Sequence, residues 1–322
     1  MLRRVDRQTS DNAPPLDTRR PFTRAAGLRA GLGKQLRTRA YRQLAHGIYV
    51  DADAPDSPLL MAQAVLLPFP ANAWASHATA ARALALPIPP LPAEHVTVLQ
   101  RRERRQRSDV TCHHATTGLV VTIAGTRISA PAQVFLELAT QLSLVDLVVV
   151  GDHLVRKKMV TLDALRRHCA EASGPGVAQA RAAAAFVRER VDSPMETRLR
   201  MLIVLAGLPE PEINPVMDLP GGKRCYDLCW RAARLVVEYD GRHHIERVQQ
   251  WESDIERREE IEDDQWRMLI VTAKGIYRSP YQTLAKIHRL LLQRREPGTL
   301  RRLKDGWRPH FPVRGDYLSP AG

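Results

Sequence analysis

Residues 224–244 read RCYDLCWRAARLVVEYDGRHH and carry the strongest pattern in the chain. Their apolar and β-branched residues predict two strands, Arg224–Cys229 and Arg234–Tyr239. A Gly-Gly turn at 221–222 leads into the first strand, and a short link separates the first strand from the second. Because the link is short, the two strands are predicted to pair as an antiparallel hairpin.

Pairing these strands brings together three carboxylates. Asp227 comes close to Glu238, and the two-residue period of a strand places Glu238 and Asp240 on one face. Such carboxylates repel each other unless a cation or positive neighbours are present. A site of carboxylate oxygens suits Mg²⁺ or Mn²⁺, which can activate water for hydrolysis of a phosphodiester. The alternative is that Asp227 and Glu238 are structural acids paired with nearby arginines.

The elements around the hairpin predict a small mixed sheet flanked by helices. Ser193-Pro194 begins a helix that carries Glu196 and ends near Gly207. The remaining predicted elements are a strand Ile213–Met217, a helix Val248–Asp264, a strand Arg267–Thr272 and a helix Ser279–Arg294. The resulting order of elements is α-β-β-β-α-β-α.

Acidic, aromatic and basic residues occupy particular positions on these predicted elements. They are Glu196, Asp227, the string Glu238-Tyr239-Asp240-Gly241, His244, Trp251, Asp254 and Arg257. In this pattern the region resembles the very-short-patch-repair-endonuclease-like group of the PD-(D/E)XK nuclease superfamily, much of it catalogued as a domain of unknown function. The resemblance implies an α/β protein with a restriction-endonuclease-like α-β-β-β-α-β core. It implies Asp227 and Glu238 as ligands of Mg²⁺ or Mn²⁺, and these two with Asp240, His244 and Glu196 as catalytic residues.

One position departs from the wider superfamily. The superfamily's lysine is expected two residues after Glu238, where this chain has Asp240. His243 or His244 could act in its place as a general base, because imidazole titrates near neutral pH. The departure also leaves open a degenerate site that does not cut.

Each of the outer candidates has a plainer interpretation. Asp240-Gly241 could begin a turn. Glu196 could lie on a solvated helix face together with Arg198 and Arg200. Arg257 could contact a phosphate, or it could form an ordinary surface pair with Asp254, three residues earlier on the same helix.

The cysteines are predicted to be buried apolar side chains rather than zinc ligands. Cys225 and Cys229 lie two residues to either side of Asp227, so a continuous strand points all three to one face. Zinc would need two more ligands, and the string Cys112-His113-His114 is distant in sequence. Four cysteines, with no signal-like segment after Met1, fit a reducing cytoplasm.

The N-terminal region predicts a winged helix-turn-helix. The pattern is a helix Phe22–Ala30, a turn, a second short helix Lys34–Arg42 and a strand at 46–50. The cations expected to contact DNA in the second helix are Lys34, Arg37, Arg39 and Arg42. The alternative is a small helical cap with a solvated basic face.

The string Gly47-Ile48-Tyr49-Val50, the helix beginning Ser76-His77-Ala78 and the sequence Ser129-Ala130-Pro131 extend this pattern. Over residues 21–170 the chain resembles AbiEi-type antitoxins and transcriptional regulators. That resemblance implies a winged helix-turn-helix followed by an α+β region, with DNA as a partner and a toxin as a further one.

Composition agrees with a nucleic-acid partner. The chain has 322 residues, 44% hydrophobic and 26% charged, with 48 lysines and arginines against 35 acids, a net charge of +13. These values favour a globular protein that binds a polyanion, and no apolar run is long enough to predict a membrane span. The predicted segments are a flexible tail (1–20), the winged helix-turn-helix (21–56), the α+β antitoxin-like region (57–171), a connector helix (172–192), the nuclease-like domain (193–296) and a C-terminal tail (297–322).

The sequence therefore predicts a DNA-binding, metal-dependent endonuclease of DNA repair or defence against foreign DNA. The alternative is a DNA-binding regulator or type IV antitoxin-like protein with a degenerate nuclease fold. An enzyme acting on RNA and a homodimer also remain open.

Overall fold

The computed structural model describes residues 15–219, 222–241 and 265–312. The fold is mixed α/β, as the sequence predicted, and it forms two compact units. The first unit contains the chain up to Ala85 together with Leu91–Ala130, and the second contains Leu86–Pro90 and the chain from Pro131 onward. Within the described ranges, every helix is too short or too polar to cross a membrane.

The first unit begins with a small antiparallel sheet. Its elements are β1 (Phe22–Thr23), α1 (Arg24–Arg29), β2 (Tyr41–Ala45) and β3 (Ile48–Asp51), with the strands in the order β1-β3-β2. The side chain of Thr23 accepts a hydrogen bond from the Ala26 backbone N–H and so caps α1. Gly47 forms the β2–β3 turn with φ +73°, a conformation that favours glycine.

The predicted second helix, Lys34–Arg42, is wrong. Only a single 3-10 turn forms, Gln35–Arg37, and Tyr41 and Arg42 already pair with β3. The hydroxyl of Thr38 donates to the Gln35 carbonyl at 2.7 Å and accepts from the Ala40 N–H at 3.3 Å. This local bonding replaces the helical pattern and turns the chain into the strand.

A five-stranded sheet completes the first unit. The elements are α2 (Pro58–Leu66), β4 (Trp74–Ala75), α3 (His77–Ala83), β5 (Glu94–Val98), β6 (Val110–His114), β7 (Val120–Ile123) and β8 (Thr126–Ser129). The strand order is β6-β5-β4-β8-β7, with β5 and β6 parallel. Val65, Val96 and Val98 are buried between the sheet and α2, where they form the core.

The second unit opens with four helices: α4 (Pro131–Leu138), α5 (Leu144–Arg156), α6 (Leu162–Glu171) and α7 (Val177–Phe186). The alanine-rich segment predicted as a connector is α7, which packs against α5 and α6 with Ala180 and Ala183 fully buried. A Cβ on Gly151 of α5 would lie 2.4 Å from Val187, so a glycine is needed at this close approach.

The remaining elements that the structure describes form two sheets and three helices. They are α8 (Pro194–Leu205), β9 (Glu212–Ile213), β10 (Val216–Leu219), β11 (Gly222–Cys225), β12 (Leu228–Trp230), β13 (Leu235–Asp240), β14 (Arg267–Thr272), α9 (Ala273–Tyr277) and α10 (Pro280–Gln293). The four-stranded sheet has the order β14-β13-β12-β9, and β10 pairs with β11. The predicted helix Val248–Asp264 lies outside the described residues.

The antiparallel pairing of the two central strands is confirmed, with Leu228 opposite Val237. The prediction of one continuous strand, Arg224–Cys229, is wrong, because the chain leaves the strand conformation at Tyr226 and Asp227, between β11 and β12. The predicted strand Ile213–Met217 is also broken, and its two parts belong to β9 and β10. Asn214, with φ +44°, makes the corner and donates its N–H to the Asp227 carbonyl at 2.9 Å.

A buried ion pair joins the helical part of the second unit to α8. The carboxylate of Asp152 accepts hydrogen bonds from the Arg200 guanidinium, the Thr197 hydroxyl and the Arg188 backbone N–H, each at 2.8 Å. Both members of the pair are almost completely buried. Burial raises the pKa of Asp152, and the guanidinium and the two neutral donors oppose that shift.

Candidate functional site

Asp227, Glu238 and Asp240, here called the acidic edge, lie at one end of the four-stranded sheet. Asp227 directly precedes β12, one residue beyond the pair of Leu228 with Val237, so it lies beside Glu238. Its Oδ2 accepts a hydrogen bond from the Tyr239 backbone N–H at 2.8 Å. The structure therefore places Asp227 and Glu238 on neighbouring chain segments, and both are half-buried.

The face that carries the acidic edge changes from apolar to charged along the strands. Cys229, Val236 and Met268 form a buried row across β12, β13 and β14. Glu238 lies two residues further along β13, opposite the partly exposed Ile270. The apolar row anchors the strands, so Glu238 and Asp240 project from a paired strand, and Asp227 lies in the break directly before β12.

Asp240 is the last residue of β13 and is paired with Thr272 of β14. Its two-residue spacing from Glu238 puts both acids on one face. Burial, Tyr277 and then Asp240 raise the pKa of Tyr239, so this phenol stays protonated at neutral pH. Asp240 itself is therefore a strand residue rather than a turn residue.

Glu196 is held at the start of α8 and is only 7% exposed. Its backbone N–H donates to the Ser193 hydroxyl, and its Oε2 accepts from the Asp192 N–H at 2.9 Å and from the Asn214 amide at 3.1 Å. The side chain closes the helix end much as a capping box does. The solvated-face interpretation is therefore wrong for Glu196, and also for the buried Arg200.

Cys225 links Glu196 electrostatically to the acidic edge. Burial raises the pKa of its thiol, and Asp192, Asp227 and Glu196 raise it further against the effect of Arg190. The three carboxylates are thus all close enough to the Cys225 thiol to raise its pKa. Cys225 is exposed whereas Cys229 is buried, because the strand break places them in different sheets. The prediction that both cysteines are buried apolar side chains is therefore wrong for Cys225 and confirmed for Cys229.

The predicted DNA contacts in the first unit differ in their surroundings. Lys34, Arg37 and Arg39 are exposed around the 3-10 turn. Arg42 instead forms an ion pair with Asp56 at 2.7 Å and donates to the Ala54 carbonyl at 2.8 Å. Arg42 therefore holds the loop after β3.

A second group of cations lies in the run Arg101–Arg107. Arg107 makes two hydrogen bonds to Asp109, at 2.9 and 2.8 Å, and one to the His46 carbonyl at 3.0 Å, while Asp109 accepts from the His46 N–H. The Arg107 hydrogen bond holds the pKa of Asp109 below its usual range, with further help from His46. The basic run is thus tied to the β2–β3 turn.

Five residues from the resemblances lie outside the described residues: His243, His244, Trp251, Asp254 and Arg257. Their roles stay predictions.

Sequence reasoning missed a group of His77, His95 and His113, here called the histidine cluster. Each offers a nitrogen within 4.8 Å of the other two, and no other trio of histidine, cysteine or acidic side chains in the described ranges does so. The three residues are far apart in sequence and follow no short ligand motif. His77 lies in the predicted helix beginning Ser76-His77-Ala78 and His113 in the string Cys112-His113-His114, but no pattern linked either residue to His95.

Comparisons with known proteins give little further guidance. No protein-family model matches the chain, and no solved structure matches it. Two curated relatives are the uncharacterized proteins MT2308 and Rv2248 of Mycobacterium tuberculosis, from strains CDC 1551 / Oshkosh and ATCC 25618 / H37Rv. Each is 26% identical over 178 residues, which cover 55% of this chain and 66% of the relative. The chain is similar to proteins whose activity is itself uncharacterized.

Proposed function

We propose that this chain is a DNA-binding protein whose second unit is a metal-dependent, PD-(D/E)XK-type endonuclease domain that hydrolyses phosphodiester bonds. The observation that carries the proposal is the position of Asp227 beside Glu238 at the end of a mixed sheet. The parallel pairing of β13 with β14 and the helix α8 before the sheet also agree with such a core.

The donor set fits a hard divalent cation. Asp227 and Glu238 would hold Mg²⁺ or Mn²⁺ through carboxylate oxygens, the ligands that these ions prefer. When bound, the ion would supply Lewis-acid polarisation of the phosphoryl group. Asp240 would complete or orient the shell, and Glu196 would position Asp192 and Asn214 near it. His244 would accept or donate the proton in place of the superfamily's lysine.

The first unit would supply most of the affinity for DNA. Lys34, Arg37 and Arg39 are exposed close together in the chain, and the run Arg101–Arg107 adds further cations. Contacts between such side chains and phosphates release counterions, so binding would weaken steeply as salt rises. Repair and defence against foreign DNA are the two roles that fit a DNA endonuclease of this type.

The test is cleavage of supercoiled, linear, mismatched and single-stranded DNA with Mg²⁺ or Mn²⁺. The Asp227→Asn/Glu238→Gln double variant keeps the side-chain volumes and should lose cleavage while keeping salt-sensitive DNA binding. Glu212→Gln is the matched control, because Glu212 belongs to the same sheet but is exposed and paired with Arg231. Cleavage that survives in the double variant would refute the nuclease site.

A second candidate is a DNA-binding regulator or antitoxin-like protein that uses the nuclease fold without cutting. The observation that favours it is that acids of the site serve structural roles. Glu196 caps α8, Asp227 accepts from the β13 backbone, and Asp240 stands where a lysine is expected. DNA binding with no cleavage of any substrate and no effect of Mg²⁺ on stability would select this candidate, whose further partner would be a toxin.

A further inference from the structure

The histidine cluster is built from three elements of the first unit that pack together. His77 is the first residue of α3, His95 lies in β5 and His113 lies in β6. The strands β5 and β6 are parallel neighbours, and the Ser76 N–H donates to the His95 carbonyl at 3.1 Å. The positions of all three side chains are therefore fixed by secondary structure rather than by loops.

The nitrogens have spacings close to those of a coordination shell. Nδ1 of His95 lies 2.9 Å from Nε2 of His113, and all three residues offer nitrogens within 4.8 Å of one another. Two nitrogens bound tetrahedrally to zinc at about 2.05 Å are about 3.4 Å apart, which falls inside this range. The observed pair is about half an ångström closer than this spacing.

The rings stack with each other as they stand. The His77 and His113 rings are 3.9 Å apart between centroids with planes at 13°, and His95 is inclined to them by no more than 18°. Parallel rings cannot aim three lone pairs at one point. An ion would turn at least one ring about its Cβ–Cγ bond and replace the His95–His113 hydrogen bond.

The imidazoles are neutral donors at neutral pH. Burial, reinforced by the other two histidines, lowers the pKa of His77 to about 2. Burial, His113 and Arg82 lower the pKa of His95 to about 4, and burial and Arg104 lower that of His113.

Contacts outside the cluster orient its rings. The Ser76 hydroxyl lies 3.0 Å from Nδ1 of His77, and the Thr97 hydroxyl donates to the same Ser76 oxygen at 2.8 Å. A histidine held at Nδ1 in this way coordinates a metal through Nε2. His77 also has φ +48°, a backbone conformation rare for residues other than glycine, as is often found where a side chain is held for function.

We propose that His77, His95 and His113 bind one divalent ion of the zinc class. Imidazole nitrogen suits zinc, whereas Mg²⁺ prefers oxygen, so the site is separate from the acidic edge and from the proposed nuclease chemistry. Three protein ligands leave a fourth position for water or an anion. Arg104, whose charge acts on His113, would favour an anion at that position, whereas the charge of Arg82 is already paired with Glu94 at 2.8 Å.

The experiment titrates Zn²⁺ into the metal-free full chain, with Mg²⁺ in excess to occupy carboxylates. Bound zinc is measured after desalting, and thermal unfolding is followed in parallel. We expect one zinc per chain and, at a hundredfold excess over the dissociation constant, a rise in Tm of about 10 °C for the unit that binds it. His77→Gln and His113→Gln should each weaken binding at least about tenfold, as expected for loss of a ligand.

His114→Gln is the matched control, because His114 is the next residue of β6 and lies outside the cluster. It should bind zinc like the unchanged chain. Circular dichroism of each metal-free variant shows whether it is folded, and two independent variants keep the test decisive if one of them unfolds.

Co²⁺ provides a second measurement on the unchanged chain. Its absorption spectrum should show nitrogen and oxygen ligands without a thiolate charge-transfer band. A thiolate band, zinc binding retained in both folded histidine variants, or no stoichiometric zinc would each overturn the site. None of these results depends on DNA cleavage, so failure here is distinct from failure of the nuclease proposal.

Discussion

The histidine cluster and the acidic edge differ in nearly every property that governs metal choice. The first presents neutral nitrogen donors, of which His95 is buried and His77 and His113 are half-buried, and the second presents half-buried, anionic oxygen donors. Nitrogen donors favour zinc-class ions, and carboxylates favour Mg²⁺ or Mn²⁺. One chain can thus carry two sites that do not compete for an ion, and each can be removed while the other is kept.

The largest expected effect is on cleavage. Glu238→Gln removes one anionic ligand and should lower Mg²⁺-dependent cleavage by about 1000-fold, the equivalent of several kcal/mol of transition-state stabilisation. His113→Gln should change cleavage less than twofold. Initial rates on supercoiled DNA measure both. A comparable loss in the two variants would show that the regions act as one site.

Breaking the Asp152–Arg200 ion pair should lower the stability of the unit that carries the acidic edge and leave the unit that carries the histidine cluster unchanged. Asp152→Ala leaves the buried Arg200 charge with only the more distant Glu210 carboxylate, at 3.5 Å, which costs about 3 kcal/mol. The loss should fall on the second unit, because both residues belong to it. Denaturant unfolding with zinc present and absent measures this. If Asp152→Ala abolished the zinc effect, the independence of the two regions would be refuted.

A smaller effect distinguishes capping from catalysis at Glu196. Glu196→Ala leaves the Asp192 N–H without its buried acceptor, at a cost of about 1–3 kcal/mol, while the Asn214 amide keeps the Arg190 carbonyl and the Asp192 carboxylate as acceptors. Glu196→Gln retains an acceptor oxygen and should cost less. The free energy of unfolding and the cleavage rate are measured for both variants. A Glu196→Gln variant that is stable but has lost cleavage would place Glu196 among the metal ligands rather than the caps.

The smallest effect is on the reactivity of Cys225. Burial and then the neighbouring carboxylates raise the pKa of this thiol, so a cation bound at Asp227 should lower it again. Mg²⁺ should then speed alkylation of Cys225 at pH 8 by about threefold, roughly half a pKa unit. Cys229 is the internal control, because burial raises its pKa to about 12. Equal rates with and without Mg²⁺ would argue against a cation beside Asp227.

The two regions also differ in what the sequence could predict. The acidic edge lies on strands whose alternation and short link specify the pairing of Leu228 with Val237, so the closeness of Asp227 and Glu238 was predictable. The break at Tyr226 was not, because it depends on the corner that Asn214 makes in the neighbouring strand. The sequence pattern of one strand does not show which residue of a neighbouring strand will bond to it.

The histidine cluster was not predictable for the same reason. Its members meet only because α3, β5 and β6 pack in a particular order, and the sequence contains no rule for that order. The failed helix Lys34–Arg42 has a local cause instead. Propensity allowed a helix there, and the hydroxyl of Thr38 bonded the backbone in a way that ended it.

The tie between Arg107, Asp109 and His46 has a consequence for entropy. A flexible charged loop loses conformational freedom when it binds a polyanion, and that loss weakens the binding. Here one end of the basic run is already fixed to a turn of the same unit by two hydrogen bonds to His46, and two more join Arg107 to Asp109. Part of the ordering therefore takes place during folding, and the exposed arginines are preorganised before any partner arrives.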